Sequence, residues 1–172
     1  MEIFIETERL ILREIVAEDE IALFEVDSNP KVNTYLGNNP VKNIEQIRSI
    51  IQFIRQQYID NGIGRWAMIE KKSNKFIGWS GLKLVKELTN NHVNYYDLGY
   101  RLNQNYWGMG YATESAMACV DYGFKQLKQK EIFAMAHFEN KASRHVIEKS
   151  GLKYIETFNE NNIPHDWFKI EK

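Results

Sequence analysis

Two spacings of apolar residues alternate along this chain. Ile47, Ile50, Ile51, Ile54 and Tyr58 recur at the 3.6-residue period of one helix face, predicting a helix from Ile44 to Asn61 that Gly62 stops. The same period returns at Ala116, Met117, Val120, Phe124 and Leu127, after a turn that carries Gly108 and Gly110. Shorter helices are predicted over Glu18–Val26, ended by Asn29-Pro30, and over Lys141–Ser150, closed by Gly151. Between them lie runs rich in β-formers: 7–13, 65–71, 76–85, 93–102, 131–138, 154–158 and 166–170. Residues 72–75 are a hairpin-like turn, and 31–43 and 86–92 are irregular. The order β-α-α-β-β-β-α-β-α-β-β describes one α+β (mixed α/β) domain spanning 1–172. Residues 98 to 136 form a strand–helix–strand unit, so its two strands are expected to be parallel.

Composition narrows the class. A 44% hydrophobic and 26% charged chain is ordinary for a soluble globular protein. With 22 basic against 23 acidic residues, bulk charge gives no case for nucleic acid or an anionic membrane. No stretch approaches a membrane span and the acidic N-terminus has no apolar leader, so a cytoplasmic protein is expected. Cys119, the single cysteine, falls in the helix after the glycine turn beside Ala116 and Val120 and is expected in the core.

Candidate chemistry concentrates between residues 98 and 114. Leu98-Gly99-Tyr100-Arg101-Leu102 is a strand, Asn103 to Gly110 a turn, and Tyr111 starts the helix. Glycines at 108 and 110 permit backbone angles that side chains forbid, and a helix start offers free N–H groups and a positive dipole end to a phosphate. The Rossmann pattern needs a third glycine where this chain has Thr113, and a P-loop needs a Gly-Lys-Ser/Thr that is absent. Taken alone, the turn fits a phosphate site and a purely structural role equally. His92, His137, His145 and His165 lack metal-ligand spacing, and no metal is expected.

Five segments in order resemble a known family. They are Thr7-Glu8-Arg9-Leu10-Ile11-Leu12-Arg13, Ile77-Gly78-Trp79-Ser80-Gly81-Leu82, Leu98-Gly99-Tyr100, Trp107-Gly108-Met109-Gly110-Tyr111-Ala112-Thr113-Glu114, and Asn140-Lys141-Ala142-Ser143 with Glu148-Lys149-Ser150-Gly151-Leu152. Together with the element order they resemble the GNAT acyltransferase superfamily, and more closely its RimJ/RimL-type branch, which acetylates protein N-termini or small amines. The resemblance implies a central, mostly antiparallel sheet flanked by helices, with a parallel fourth and fifth strand splaying apart around acetyl-CoA. Two positions depart from the pattern. Asn105 stands where the family's loop usually begins with Gln or Arg, and Ile147 where some members carry a tyrosine acid.

By that resemblance, backbone groups of Tyr100, Arg101 and Leu102 would pair with the pantetheine arm as an added strand would. N–H groups of Gly108, Met109, Gly110, Tyr111, Ala112 and Thr113 would hold the pyrophosphate, and Asn140 would meet the pantetheine. The reaction is attack of an uncharged amine on the thioester. Asp97 is the candidate base, with a solvated strand carboxylate as its plain alternative. Ser143, one turn from Asn140, is the candidate near the leaving sulfur, against a local first-turn hydrogen bond. A backbone N–H near Gly99 or Tyr100 would stabilise the oxyanion. His137 is a second candidate base, and Trp66, Trp79, Tyr35 and Tyr58 could line the acceptor pocket or the core. Lys125 to Lys130 is a solvated helix end or an aid to the adenosine phosphate. The expected partner is an amine acceptor, a peptide N-terminus first and a small molecule (polyamine, amino acid or antibiotic) second; a homodimer is allowed. A non-catalytic acyl-CoA-binding module is the reading from another class.

Overall fold

The computed structural model describes residues 2–172. Its centre is an eight-stranded sheet in the order β1-β2-β3-β4-β5-β6-β8-β7. The strands are β1 (Ile3–Glu6), β2 (Leu10–Arg13), β3 (Trp66–Glu70), β4 (Lys75–Val85), β5 (Tyr95–Leu102), β6 (Glu131–His137), β7 (Lys153–Glu160) and β8 (Ile163–Glu171). The helices are α1 (Glu20–Asp27), α2 (Pro30–Asn33), α3 (Ile44–Asn61), α4 (Tyr111–Lys125) and α5 (Lys141–Lys149), with short 3₁₀ turns at Ala17–Asp19 and Gln104–Tyr106.

The expected opening strand over 7–13 is in fact a turn and half a strand. The Thr7 N–H donates to the Leu10 carbonyl (2.9 Å) and the Leu10 N–H to the Thr7 hydroxyl (3.0 Å), so the chain reverses there and β1 pairs with β2. Four residues beginning with a half-exposed Ile3 carry too little alternation to mark β1 in the sequence. The extra strand shifts the numbering: the expected parallel fourth and fifth strands are β5 and β6. Pro30 to Asn33, expected to be irregular, makes one helical turn because the Asn29 side chain caps it at the Lys31 N–H (2.9 Å). The last two strands run longer than expected and meet at Asn161-Asn162, both left-handed (φ 51° and 65°), as a tight two-residue hairpin turn requires.

Helices cover the sheet on both faces. α4 and α5 bury Ala116, Cys119, Val120 and Ile147 against Leu82, Leu98, Leu102, Ile132 and Ala134. On the opposite face Leu23 of α1 and Ile47, Ile51 and Ile54 of α3 pack on Ala67 and Ile69. Beyond the reach of α1 and α3, that second face carries a smaller cluster of Val85, Tyr95, Phe133 and Trp167. His92 closes it, 4.8 Å from the Phe133 ring and 5.4 Å from the Trp167 ring.

Two aromatics considered for an acceptor pocket belong to the core. Trp66 is fully buried, stacked on Phe4 (4.8 Å between centroids) with Tyr122 edge-on at 5.0 Å. Tyr58 donates its hydroxyl to the Arg65 carbonyl and accepts from the Ile15 N–H (3.1 Å), tying α3 to β3 and to the chain before α1. Cys119 is fully buried with Sγ 3.6 Å from the Ser80 hydroxyl.

Burial pushes the Cys119 thiol up from its ordinary 9.0 to about 12, against a smaller opposing effect of the Ser80 hydrogen bond. A pKa raised in the fold gives stability that is complete below the unfolded value and is lost as pH rises from about 9 toward 12. Cys119 should therefore resist iodoacetamide in the native protein at pH 8 and react fully in urea, and Cys119→Ala should flatten the fall in Tm between pH 9 and 11.

Candidate active site at the splay of the sheet

β5 and β6 are the one parallel pair among the described strands, and they meet at one register pair, Asp97 with Phe133. On its other side β5 stays in register with β4 from Tyr95 to Leu102. Past Asp97, the β5 backbone facing β6 therefore lacks a strand partner. Such an edge inside a sheet leaves main-chain donors and acceptors to be satisfied by something else. Of the expected pantetheine contacts, Tyr100 lies on this edge; Arg101 instead turns its backbone to β4, opposite Trp79, and the Leu102 carbonyl is already taken by the Trp107 indole N–H (2.9 Å).

The glycine turn stands at the open end of the same cleft. Gly108 (φ 74°) and Gly110 (φ 83°) are both left-handed, a geometry that side chains resist. Gly110 is the N-cap of α4 and brings no side-chain cap, which leaves the first-turn N–H groups of Tyr111, Ala112 and Thr113 uncapped. The contrast within the molecule is plain, because α2, α3 and α5 are each capped by an asparagine side chain. Met109, between the glycines, is half exposed.

On the α4/α5 face, β5 sends Tyr100 toward α5. The Tyr100 hydroxyl donates to Ser143 Oγ (3.2 Å), which leaves the Ser143 proton free for another acceptor. Burial raises the Tyr100 pKa, partly opposed by the Ser143 contact, so the phenol stays protonated at neutral pH. Asn140, expected to meet pantetheine, uses Oδ1 to cap α5 at the Ser143 N–H (3.1 Å) and keeps its amide N–H₂ to offer. Ile147, at the position where some family members carry a tyrosine acid, is buried in the core.

On the other face stand Asp97, Gly99 and Arg101. The Asp97 carboxylate is no solvated strand group: Arg65 binds it through Nη2 and binds its backbone carbonyl through Nη1 (2.6 Å). Among the described residues Oδ1 of Asp97 takes no hydrogen bond. Gly99 makes this reach possible, since a Cβ there would lie 2.5 Å from Arg65 Nη2. Arg101 pairs with the buried Asp27 of α1 (2.7 Å), and both arginines lie over the Trp79 ring (5.6 and 5.3 Å). Further along the opening, Tyr35 approaches His137 (5.2 Å), and His137 approaches Phe138 (5.1 Å) and His165 (5.8 Å). Among the described residues no group of His, Cys, Asp or Glu is gathered to hold a metal, and no helix is long and apolar enough to cross a membrane.

A family model described as an acetyltransferase (GNAT) domain matches residues 9–153. The chain belongs to the GNAT acetyltransferase family. It is an acyltransferase fold in sequence as in shape. The chain is 33% identical over 137 residues to the uncharacterized N-acetyltransferase p20 of Bacillus licheniformis, covering 80% of this chain and 75% of that one. A GNAT-family acetyltransferase structure from Bacillus anthracis superposes with a TM-score of 0.80 at 26% identity, over 97% of each chain. RimL, a ribosomal-protein α-N-acetyltransferase solved with coenzyme A, has the same fold (TM-score 0.82, 17% identity, 99% of this chain and 98% of that one).

This GNAT chain also builds a clasp that its sequence does not announce. Glu114, in the first turn of α4, accepts the Thr7 hydroxyl (2.6 Å) and the Arg9 N–H (3.0 Å) on Oε1, and Arg9 Nε (2.6 Å) on Oε2. Burial alone would raise its pKa, but these hydrogen bonds outweigh burial and hold it below the usual carboxylate value. Arg9 Nη1 reaches the Met109 carbonyl (2.9 Å), and its guanidinium lies 4.4 Å over the Tyr111 ring. The clasp forms one wall of an open depression of about 690 Å³ over the start of α4, whose lining includes Gly110, Thr113, Met117 and Lys149. Thr7, Arg9 and Glu114 stand in the resembling segments, but their partnership spans more than 100 residues and has no local spacing to reveal it.

Gly99→Ala should drive Arg65 off Asp97. The expected outcome is a loss of about 1–3 kcal/mol in urea-monitored stability, the usual range for overpacking, with lowered turnover. A Gly99→Ala protein of unchanged stability and rate would show that Arg65 has another route.

Proposed function

We propose that this chain transfers an acetyl group from acetyl-CoA to a primary amine by direct attack, with a protein or peptide N-terminus as the acceptor, in the manner of the RimJ/RimL-type branch. The observation that carries the cofactor is the combination at one cleft: an unpaired β5 edge, two left-handed glycines and an uncapped α4. Those groups fit a pantetheine amide and a pyrophosphate, and the RimL structure of the same fold carries coenzyme A. Acetyl-CoA, when bound, supplies the activated acyl carbonyl that the amine attacks.

In this reading the chain's own groups do the rest. The N–H groups from Gly108 to Thr113 hold the phosphates, and the Tyr100 backbone and the Leu102 N–H, with the Asn140 amide, align the pantetheine. A backbone N–H at Gly99 or Tyr100 faces the oxygen that gains charge. Asp97, oriented by Arg65, accepts the amine's proton on Oδ1 and passes it to solvent. Ser143 gives its proton to the leaving sulfur and is resupplied by Tyr100, which regains a proton from solvent, so the phenol missing at Ile147 comes from β5 instead.

Charge favours a peptide N-terminus over a polycation. The carboxylates on the α1 side of the splay, Asp97 and Asp27, are each bound by an arginine and are not a free acidic pair for a polyamine. A second reading has one observation in its favour: the run of Tyr35, His137, Phe138 and His165 would suit a small amine with a flat apolar flank.

Thermal-shift titration with acetyl-CoA, CoA, NAD and ATP tests the cofactor first. A ligand specific to the folded state at 100 times its Kd adds about 2.7 kcal/mol; stabilisation by the two coenzyme A forms alone is expected, and none would remove the enzyme reading. Peptides, polyamines and aromatic amines compared by kcat/KM then decide the acceptor. Tyr100→Phe and Ser143→Ala should each lower kcat, by up to about 100-fold, while coenzyme affinity holds. Their double variant should be no slower than the worse single one, as for residues acting in series.

A further inference from the structure

We infer that Arg9 is a positioning residue of the coenzyme-binding turn: from the N-terminal hairpin it fixes the Gly108–Gly110 backbone and cancels the charge of Glu114 beside the coenzyme's phosphates. This inference rests on the acetyl-CoA reading above. Glu114 poses an electrostatic problem for that reading. A carboxylate in the first turn suits the helix dipole, but at the same helix start it repels an anionic ligand. Arg9 removes the conflict by binding Oε2 at 2.6 Å with Nε, while its own backbone N–H and the Thr7 hydroxyl occupy Oε1.

The same guanidinium sets the turn. Nη1 holds the carbonyl of Met109, the residue between the two left-handed glycines, at 2.9 Å. Nη2 lies against the turn, 3.3 Å from where a Gly110 Cβ would stand. The Tyr111 ring beneath the guanidinium keeps its plane, and the Tyr111 hydroxyl is fastened to Glu70 of β3. One planar fork thus grips a carboxylate and a carbonyl at once, a geometry that the point charge of lysine does not reproduce. With the Met109 carbonyl drawn toward β2, the N–H groups that follow it are left to the cleft.

The test is direct CoA binding by calorimetry on the full chain, with Tm measured without ligand. It compares wild type, Arg9→Met, Arg9→Lys, Glu114→Gln and the double variant that combines Arg9→Met with Glu114→Gln. Arg9→Met should weaken CoA by roughly tenfold or more, the scale of a lost charge-assisted hydrogen bond. KM for acetyl-CoA should rise in step, with a smaller fall in kcat, and Arg9→Lys should recover only part of the affinity. Adding Glu114→Gln to Arg9→Met should restore some binding, because the uncompensated charge is gone. Glu114→Gln alone keeps the oxygen acceptor and should bind CoA at least as tightly as wild type, a readout that stands even where Arg9→Met fails to fold. Wild type binding CoA with Arg9→Met within about twofold of it, or Glu114→Gln binding more weakly, would overturn the inference alone. A wild type that binds no CoA would overturn the proposed function itself.

Discussion

The site depends on a strand pair that is allowed to meet only once. Had β5 and β6 continued their parallel ladder past Asp97 and Phe133, their hydrogen-bonding groups would have satisfied each other and closed the cleft. At the apex of the divergence Arg65 ties β5 to β4, where it also binds the Gly81 carbonyl. It grips the Asp97 carboxylate and carbonyl, and Gly99, lacking a side chain, leaves the space through which it reaches them. An arginine bound to a carboxylate and to backbone carbonyls is a rigid brace, because its planar donors fix direction as well as distance. Beyond that contact β5 is carried by its register with β4, which runs on to Leu102.

Strand alternation then divides the chemistry between two faces. Tyr100 points to the α5 side and finds Ser143; Asp97 and Arg101 point to the α1 side and find arginine and aspartate partners of their own. A coenzyme threading the splay would meet proton donors on the first face, and an amine arriving from the second would meet a carboxylate already oriented by Arg65. Trp79 lies beneath both arginines and joins the two ion pairs into one layer, so the wall of the opening is fixed by contacts that solvent reaches little.

The N-terminal hairpin extends this logic to the far end of the cleft. β1 and β2 complete the sheet edge, and the turn between them closes on the start of α4 through Thr7, Arg9 and Glu114. The glycine turn owes its freedom to two residues without side chains, and the neighbouring arginine limits it to one conformation. Flexibility in the local sequence and rigidity in the fold coexist there because the restraint comes from elsewhere in the chain.

Elements with enough length to display a period were legible in the sequence: α3, α4 and the central strands follow from repeated apolar spacing, and the glycine turn from its residue types. The family resemblance also placed Tyr100, Asn140, Ser143 and Asp97 near one another along the expected fold. β1 escaped because four residues hold too little pattern, and Trp66 and Tyr58 were open to two readings because an aromatic residue looks alike in a core and in a pocket. What the tertiary structure alone decided is pairing. Arg65 with Asp97, Tyr100 with Ser143 and Arg9 with Glu114 lie 32, 43 and 105 positions apart. Hydrophobic spacing records which face a residue turns inward, whereas the partner of a charge or hydroxyl is set by how separate elements come to lie beside each other.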